Sequence, residues 1–290
     1  MIELLSENTV AYTATVFVLS LLVGSFLNVV IYRLPVMMKN AWQCEIAEFQ
    51  EDEKELARLE KEPAFNLIKP DSTCPKCGHK IRAWENIPVI SWLALRAKCS
   101  QCKNPISARY PAIEFITALL SAFIAFQYGF GTESFALVFF CWCLVALTFI
   151  DFDTQLLPDS ITLPLLWLGL LLNLNGTFTA INSAVIGAVA GYLSLWSIYW
   201  LFKLLTGKEG MGFGDFKLFA AFGAWFGWLA LPMIILLSSL VGAVVGILMI
   251  VIRGRDRQLP IPFGPYLCGA ALVYIFWGDA IMNWYLGSMV

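Results

Sequence analysis

Ser134-Phe-Ala-Leu-Val-Phe-Phe-Cys-Trp-Cys-Leu-Val-Ala-Leu-Thr-Phe-Ile150 runs without a charged side chain and then breaks into Asp151-Phe-Asp-Thr-Gln-Leu-Leu-Pro-Asp159. An unbroken apolar run of about 18 residues or more matches the hydrocarbon thickness of a bilayer. Working outward, comparable runs lie near 10–32, 111–128, 160–174, 180–202, 216–229, 231–252 and 263–283. With 134–150 they predict an all-α polytopic membrane protein of about eight transmembrane helices. The run at 216–229 is short for a straight crossing. Composition agrees: of 290 residues, 59% are hydrophobic and 14% charged, and the mean hydropathy is +0.73. A soluble domain of this length would need far more charge on its surface.

Charge placement predicts the orientation. Alternate loops at 33–110, 151–159, 203–215 and 253–262 share one side of an eight-span chain. All 19 Lys and Arg fall in or beside them, from Arg33 to Arg109, then Lys203, Lys208, Lys217, Arg253, Arg255 and Arg257. The opposite connections, 129–133, 175–179 and around Leu231, carry none. The positive-inside rule puts the basic side in the cytoplasm and both termini outside. The first span reads as an anchor rather than a cleaved signal peptide. Residues 1–10 hold Glu3 and Glu7 but no cation, and no small-residue cleavage site follows. The chain thus divides into a first transmembrane helix at 1–32, a cytoplasmic domain at 33–110 and a seven-helix membrane domain at 111–290. With a net charge of −2, the basic side does not imply nucleic acid.

Within 33–110, residues 41–62 are acidic and helix-prone, and Ile46, Phe49, Leu56 and Leu59 are spaced to share one face. Cys74-Pro-Lys-Cys77 and Cys99-Ser-Gln-Cys102 follow, 21 residues apart. Two residues between cysteines let both thiolates of a knuckle meet one ion. Two such knuckles complete the tetrahedral sulfur shell of structural Zn²⁺. Gly78 sits where positive φ is needed after a knuckle. A closed four-sulfur shell leaves no position for substrate, so the metal is structural. Reduced cytoplasmic thiols argue against disulfides. Cys44, Cys141, Cys143 and Cys268 read as packing residues.

His79 is the only histidine, and a surface position beside the knuckle is expected for it. Intramembrane zinc proteases need two His ligands, and Ser or Cys hydrolases usually need a His base. Carboxylates remain. Acids at the membrane are costly and therefore functional candidates. Asp151, Asp153 and Asp159 lie in one turn, and Asp215 in Gly210-Met-Gly-Phe-Gly-Asp-Phe-Lys217, both on the basic side. Two carboxylates sharing a site cannot both ionise cheaply, so one acts as base on water while its protonated partner acts on a carbonyl. Structural readings stand beside this one. Asp159 and Asp215 can cap helices, Asp153 can be a solvated turn residue, and Lys217 can pair with a carboxylate or with headgroups. The residues alone leave Asp151 and Asp153 open as the first member of the pair.

Gly212-Phe-Gly-Asp215 resembles the GxGD motif of intramembrane aspartyl proteases. The wider set resembles the type IV prepilin peptidases: Gly24-Ser-Phe-Leu-Asn-Val-Val-Ile-Tyr-Arg-Leu-Pro35, the paired knuckles, Trp84-Glu-Asn-Ile-Pro-Val-Ile-Ser-Trp92, Ser107-Ala-Arg-Tyr-Pro-Ala-Ile-Glu114 and the two Asp stretches. The resemblance implies a multi-pass enzyme of the bacterial inner membrane with its site facing the cytoplasm. It would cut the basic leader of prepilins and of type II secretion pseudopilins after a glycine. It would then methylate the new N-terminal amine with S-adenosylmethionine. The catalytic pair would be Asp151 and Asp215, with zinc on Cys74, Cys77, Cys99 and Cys102. No dinucleotide-type fold is present, so the methyl donor is expected between the cytoplasmic loop and the spans. Candidates are Glu85, Asn86, Pro88, Tyr110 and Glu114, against the structural reading that Glu114 pairs with Arg109 or caps its helix. A rival class, an ion- or proton-coupled transporter with a regulatory zinc module, would show repeats between halves and polar residues in mid-span. Neither is evident.

Overall fold

The computed structural model describes residues 2–59, 63–253 and 262–287. The expected basic connection at 253–262, with Arg255 and Arg257, lies almost wholly outside the described residues. Among these residues every extended element is a helix, two isolated β-bridges in the cysteine loop apart, and the chain forms two compact units, residues 1–130 and 131–290.

The first unit holds α1 (Ile2–Glu7), α2 (Thr9–Phe49), α3 (Glu53–Leu59), the one-turn α4 (Ile90–Ala94) and α5 (Arg109–Tyr128). Asn8 starts α2 by accepting the Ala11 N–H at 3.0 Å, a side-chain cap on an otherwise orphaned donor. The apolar run at 10–32 does not end its helix at the polar segment. α2 continues through Pro35 to Phe49. The chain then turns at residues 50–52, so Ile46, Phe49, Leu56 and Leu59 form no common buried face. Phe49 is 89% exposed, and Ala47 is the buried residue of that stretch.

α2 and α5 pack antiparallel. A side chain at Gly24 would stand 2.7 Å from the Glu114 Cα, so only glycine lets the backbones approach this closely. Asn28 Nδ2 donates to the carbonyls of both Gly24 and Tyr110, at 3.2 Å each. The first cation after the span, Arg33, is buried. It donates to the carbonyls of Asn66 (2.9 Å) and Pro70 (2.6 Å) and lies over the Phe65 ring. A buried guanidinium needs such partners, and here they tie the start of the cysteine loop to α2.

The second unit holds α6 (Thr132–Thr154), α7 (Asp159–Asn173), α8 (Ile181–Thr206), α9 (Phe213–Phe226), α10 (Ala230–Arg253) and α11 (Gly264–Gly287). Among the described residues five helices, α2, α5, α6, α8 and α10, are long and apolar enough to cross a membrane. α7 is shorter, as is the apolar part of α11, Gly264–Gly278. The short sixth run is α9. Its 14 residues reach only about 21 Å at 1.5 Å per residue, and α7, α8, α10 and α11 pack against it. Its last carbonyls, on Ala224 and Trp225, accept from Asn173 Nδ2 at 2.8 and 2.9 Å, while Asn173 Oδ1 accepts from the N–H groups of Phe178 and Thr179. A helix end buried among apolar side chains must be satisfied in this way.

Glycines set the α8–α9 contact. A Cβ on Gly223 would fall 2.1 Å from the Gly187 carbonyl oxygen, and one on Gly191 would fall 2.7 Å from that of Phe219. Gly187-x-x-x-Gly191 is thus a small-residue seam. The obstructing atoms are backbone and have no rotamer to yield. Gly223→Val should therefore cost about 3 kcal/mol or more and sharply reduce folded protein in the membrane. Normal accumulation and thermal unfolding of that variant in detergent would refute this seam.

Candidate active site and metal centre

The second unit brings two carboxylates to one end of its bundle. Asp151 sits in the last turn of α6, and Asp215 in the first turn of α9. Both are buried, 5% and 6% exposed, whereas Asp153 is exposed. Two residues on a helix lie on opposite faces, so only one of the two acids in this turn can face the interior. It is Asp151. Asp151 and Asp215 lie within electrostatic reach of each other, and Cys268 of α11 is within reach of both.

Asp215 Oδ2 accepts the Gly212 N–H at 3.2 Å, reaching back over the start of its own helix as a capping residue does. Its Oδ1 is buried with no hydrogen-bond partner among the described residues. Capping therefore accounts for one oxygen and not the other. Asp151 Oδ2 accepts the Gly264 N–H, the first residue of α11, at 3.0 Å. Leu157, between α6 and α7, closes the floor. A Cβ on Gly214 would stand 2.6 Å from the Leu157 Cβ, and one on Gly264 would stand 3.2 Å from its Cδ1. Lys217 donates to both oxygens of Asp159 at 2.7 Å. Asp159 is the first residue of α7, after the N-cap Pro158. The pair joins α7 to the helix carrying Asp215, but both partners are partly exposed, and such a bridge is worth at most about 1 kcal/mol.

In the first unit the four thiols of Cys74, Cys77, Cys99 and Cys102 lie within 4.8 Å of one another. Cys74 and Cys102 sulfurs are 3.7 Å apart, and those of Cys77 and Cys99 are 4.0 Å apart. A tetrahedral ion with metal–sulfur bonds of about 2.3 Å has edges of about 3.8 Å, so the cluster can hold a metal ion. The knuckles are built alike. Cys74 N–H donates to the His79 carbonyl and Gly78 N–H to that of Cys74; Cys99 N–H donates to Asn104 and Lys103 N–H to Cys99. Gly78 has φ +70° and Lys103, at the matching place, φ +59°, so the second knuckle accepts a left-handed lysine where the first uses glycine.

Contrary to a surface position, the His79 side chain is nearly buried and lies 3.1 Å from Glu85 Oε2. Glu85 also accepts the Arg82 N–H at 2.8 Å. That bond, then the Ser100 hydroxyl, then His79 push its carboxyl down to about 2, against the effect of burial. Glu85 thereby links residues beside both knuckles. Glu114 is buried on α5 and accepts the Val89 N–H at 2.8 Å and the Ser25 hydroxyl. This brings Pro88, itself buried, to α5. Tyr110 lies one turn before Glu114 and, like Asn86, has an exposed side chain. Outside the cluster, Cys141 and Cys268 are buried and Cys44 and Cys143 half-buried.

Residues 18–128 match the Bacterial Peptidase A24 N-terminal domain, and residues 138–247 match the Type IV leader peptidase family. A protein of Stutzerimonas stutzeri named "Prepilin leader peptidase/N-methyltransferase" is 55% identical over 98% of this chain and 97% of its own length. Proteins of the same name from Aeromonas hydrophila and Pseudomonas aeruginosa are 56% and 52% identical, over 96% and 99% of this chain and 95% and 97% of theirs. The chain belongs to the type IV leader peptidase family. No solved structure matches it.

One residue of this leader peptidase escaped the sequence reading. Gly264, in Pro262-Phe-Gly-Pro265, holds Asp151 from 113 positions away. Glycine between prolines signals a turn. It carries no sign of which side chain its N–H will meet.

Proposed function

We propose that this protein removes the basic leader of type IV prepilins and pseudopilins and then N-methylates the residue exposed by the cut, with Asp151 and Asp215 as the acid–base pair. The observation that carries the peptidase half is the burial of these two carboxylates at neighbouring helix ends, each held through one oxygen by a glycine N–H. The pair shares one proton, since like charges this close cannot both ionise cheaply. The ionised member takes a proton from water, which attacks the scissile carbonyl. The protonated member donates to the carbonyl oxygen, giving a tetrahedral diol; as this collapses, the first carboxyl passes water's proton to the leaving amine and the second recovers its own from a diol hydroxyl. Asp215 Oδ1, which has no partner among the described residues, is the oxygen available to that water or proton.

Zn²⁺ is the ion that four thiolates at this spacing suit best. It would be held by Cys74, Cys77, Cys99 and Cys102 and would cross-link the loop rather than act on substrate. S-adenosylmethionine supplies the methyl group in the second reaction. Of its candidate neighbours Asn86 and Tyr110 keep exposed side chains, while Glu85, Pro88 and Glu114 shape the loop beside them. The placement of Lys and Arg supports an inner-membrane protein with the aspartates on the cytoplasmic side. The transporter reading has no support, because both acids lie at helix ends rather than in mid-span.

Incubating the purified protein with a pilin precursor should yield the shortened chain. Labelled S-adenosylmethionine should then mark the new N-terminus. A precursor left at full length by well-folded protein would overturn the peptidase assignment, and an unlabelled product the methyltransferase one.

A further inference from the structure

We propose that Gly264 is a positioning residue for the peptidase reaction: its N–H fixes Asp151, and its lack of a side chain is what admits the carboxylate. The inference rests on Asp151 being one of the catalytic acids. Asp151 stands at the C-terminal end of α6, where free carbonyls repel a negative charge. The compensating donor comes from another helix. Gly264 opens α11, and its N–H reaches Asp151 Oδ2 at 3.0 Å, a buried bond. The start of a helix offers unpaired N–H groups and the positive end of its dipole. Through this bond α11 decides which way the carboxyl plane turns.

Space is as tight as the bond is short. A Cβ at Gly264 would lie 2.6 Å from Asp151 Oδ2, 3.2 Å from its Cγ and 3.2 Å from Leu157 Cδ1. The backbone of Gly264 is not left-handed, so it does not need glycine for its conformation. In a helix alanine is the better former. Any penalty for Gly264→Ala therefore comes from the new methyl group striking its neighbours, the Asp151 carboxylate foremost and Leu157 after it. Gly269, further along α11, supplies the control, since a Cβ there would meet nothing within 4 Å.

The test compares Gly264→Ala and Gly269→Ala in the full-length protein, measuring kcat, KM and the pH profile of leader cleavage. Methyl transfer to an already shortened peptide reports separately on folding. For Gly264→Ala we expect kcat to fall about a hundredfold, the scale on which a displacement of about 1 Å acts. KM should stay within about twofold, the pH profile should move, and methyl transfer should persist. Gly269→Ala should match the wild type in all of these. A Gly264→Ala enzyme with wild-type kcat and pH profile overturns the inference, while Asp151→Asn remaining inactive keeps the parent reading intact. Should Gly264→Ala fail to accumulate, Asp151→Ala/Gly264→Ala reads the contact through folding. Recovery to the level of Asp151→Ala supports the clash with the carboxylate, and an undiminished deficit refutes it.

Discussion

Asp151→Asn and Asp215→Asn are each expected to lower leader cleavage by about ten-thousand-fold or more, with membrane insertion unchanged. The size of the effect follows from what the substitution leaves in place. Asparagine has the shape of aspartate, and its carbonyl oxygen can still accept from Gly264 N–H at 151 or from Gly212 N–H at 215. Helix ends, packing and substrate access therefore survive. What disappears is the exchangeable proton, and with it either the base for water or the acid for the carbonyl. The two losses should not add, because a dyad with one member disabled is already idle. Cleavage of a precursor by purified single and double variants is the measurement, with methyl transfer to a shortened peptide as the folding control. A double variant that still cuts would remove the aspartate pair from the mechanism. By contrast Asp153→Asn, at an exposed position on the other side of the same turn, should leave cleavage near the wild-type level.

Cys74→Ser is the second large effect, and it concerns the fold of the loop. Cys74 is one of the two buried members of the cluster. Its backbone closes the first knuckle through the bonds to His79 and Gly78. A serine oxygen is a poor ligand where three thiolates remain, and binding of structural zinc can contribute about 10 kcal/mol to folding. The loop has little else to fall back on. Its regular structure is two isolated bridges, Thr73 with Lys80 and Lys98 with Pro105, and short helical turns. The variant should lose its bound zinc and expose residues 63–108 to protease at a rate the wild type does not show. Elemental analysis and limited proteolysis read these two outcomes. Full zinc content in Cys74→Ser would dismiss the four-sulfur site.

The apolar helices and the paired cysteines that cluster were legible in the chain because each is written in local order. An apolar run is long enough to cross or it is not. Two residues between cysteines set the bite of a knuckle. The motif around Asp215 is equally local. Where the reading stopped, the missing information was geometric. Asp151 and Asp153 are indistinguishable as residues in a turn. They separate only because α6 continues through residue 154 and a two-residue step turns one side chain inward and the other out. Ile46 and Phe49 have the spacing of a buried face, yet the turn at 50–52 leaves them with nothing to cover. Glu85 and Glu114 carry no mark in sequence that one binds beside the knuckles and the other receives the Val89 N–H. The bond from Gly264 to Asp151 joins chain segments 113 residues apart. Hydropathy and spacing are properties of neighbours along the chain, so the sequence by itself determined the spans, the cysteine set and the acid-bearing turns. Which carboxylate is buried, and which distant N–H holds it, depends on helix rotation and close packing, and only the tertiary structure decided those.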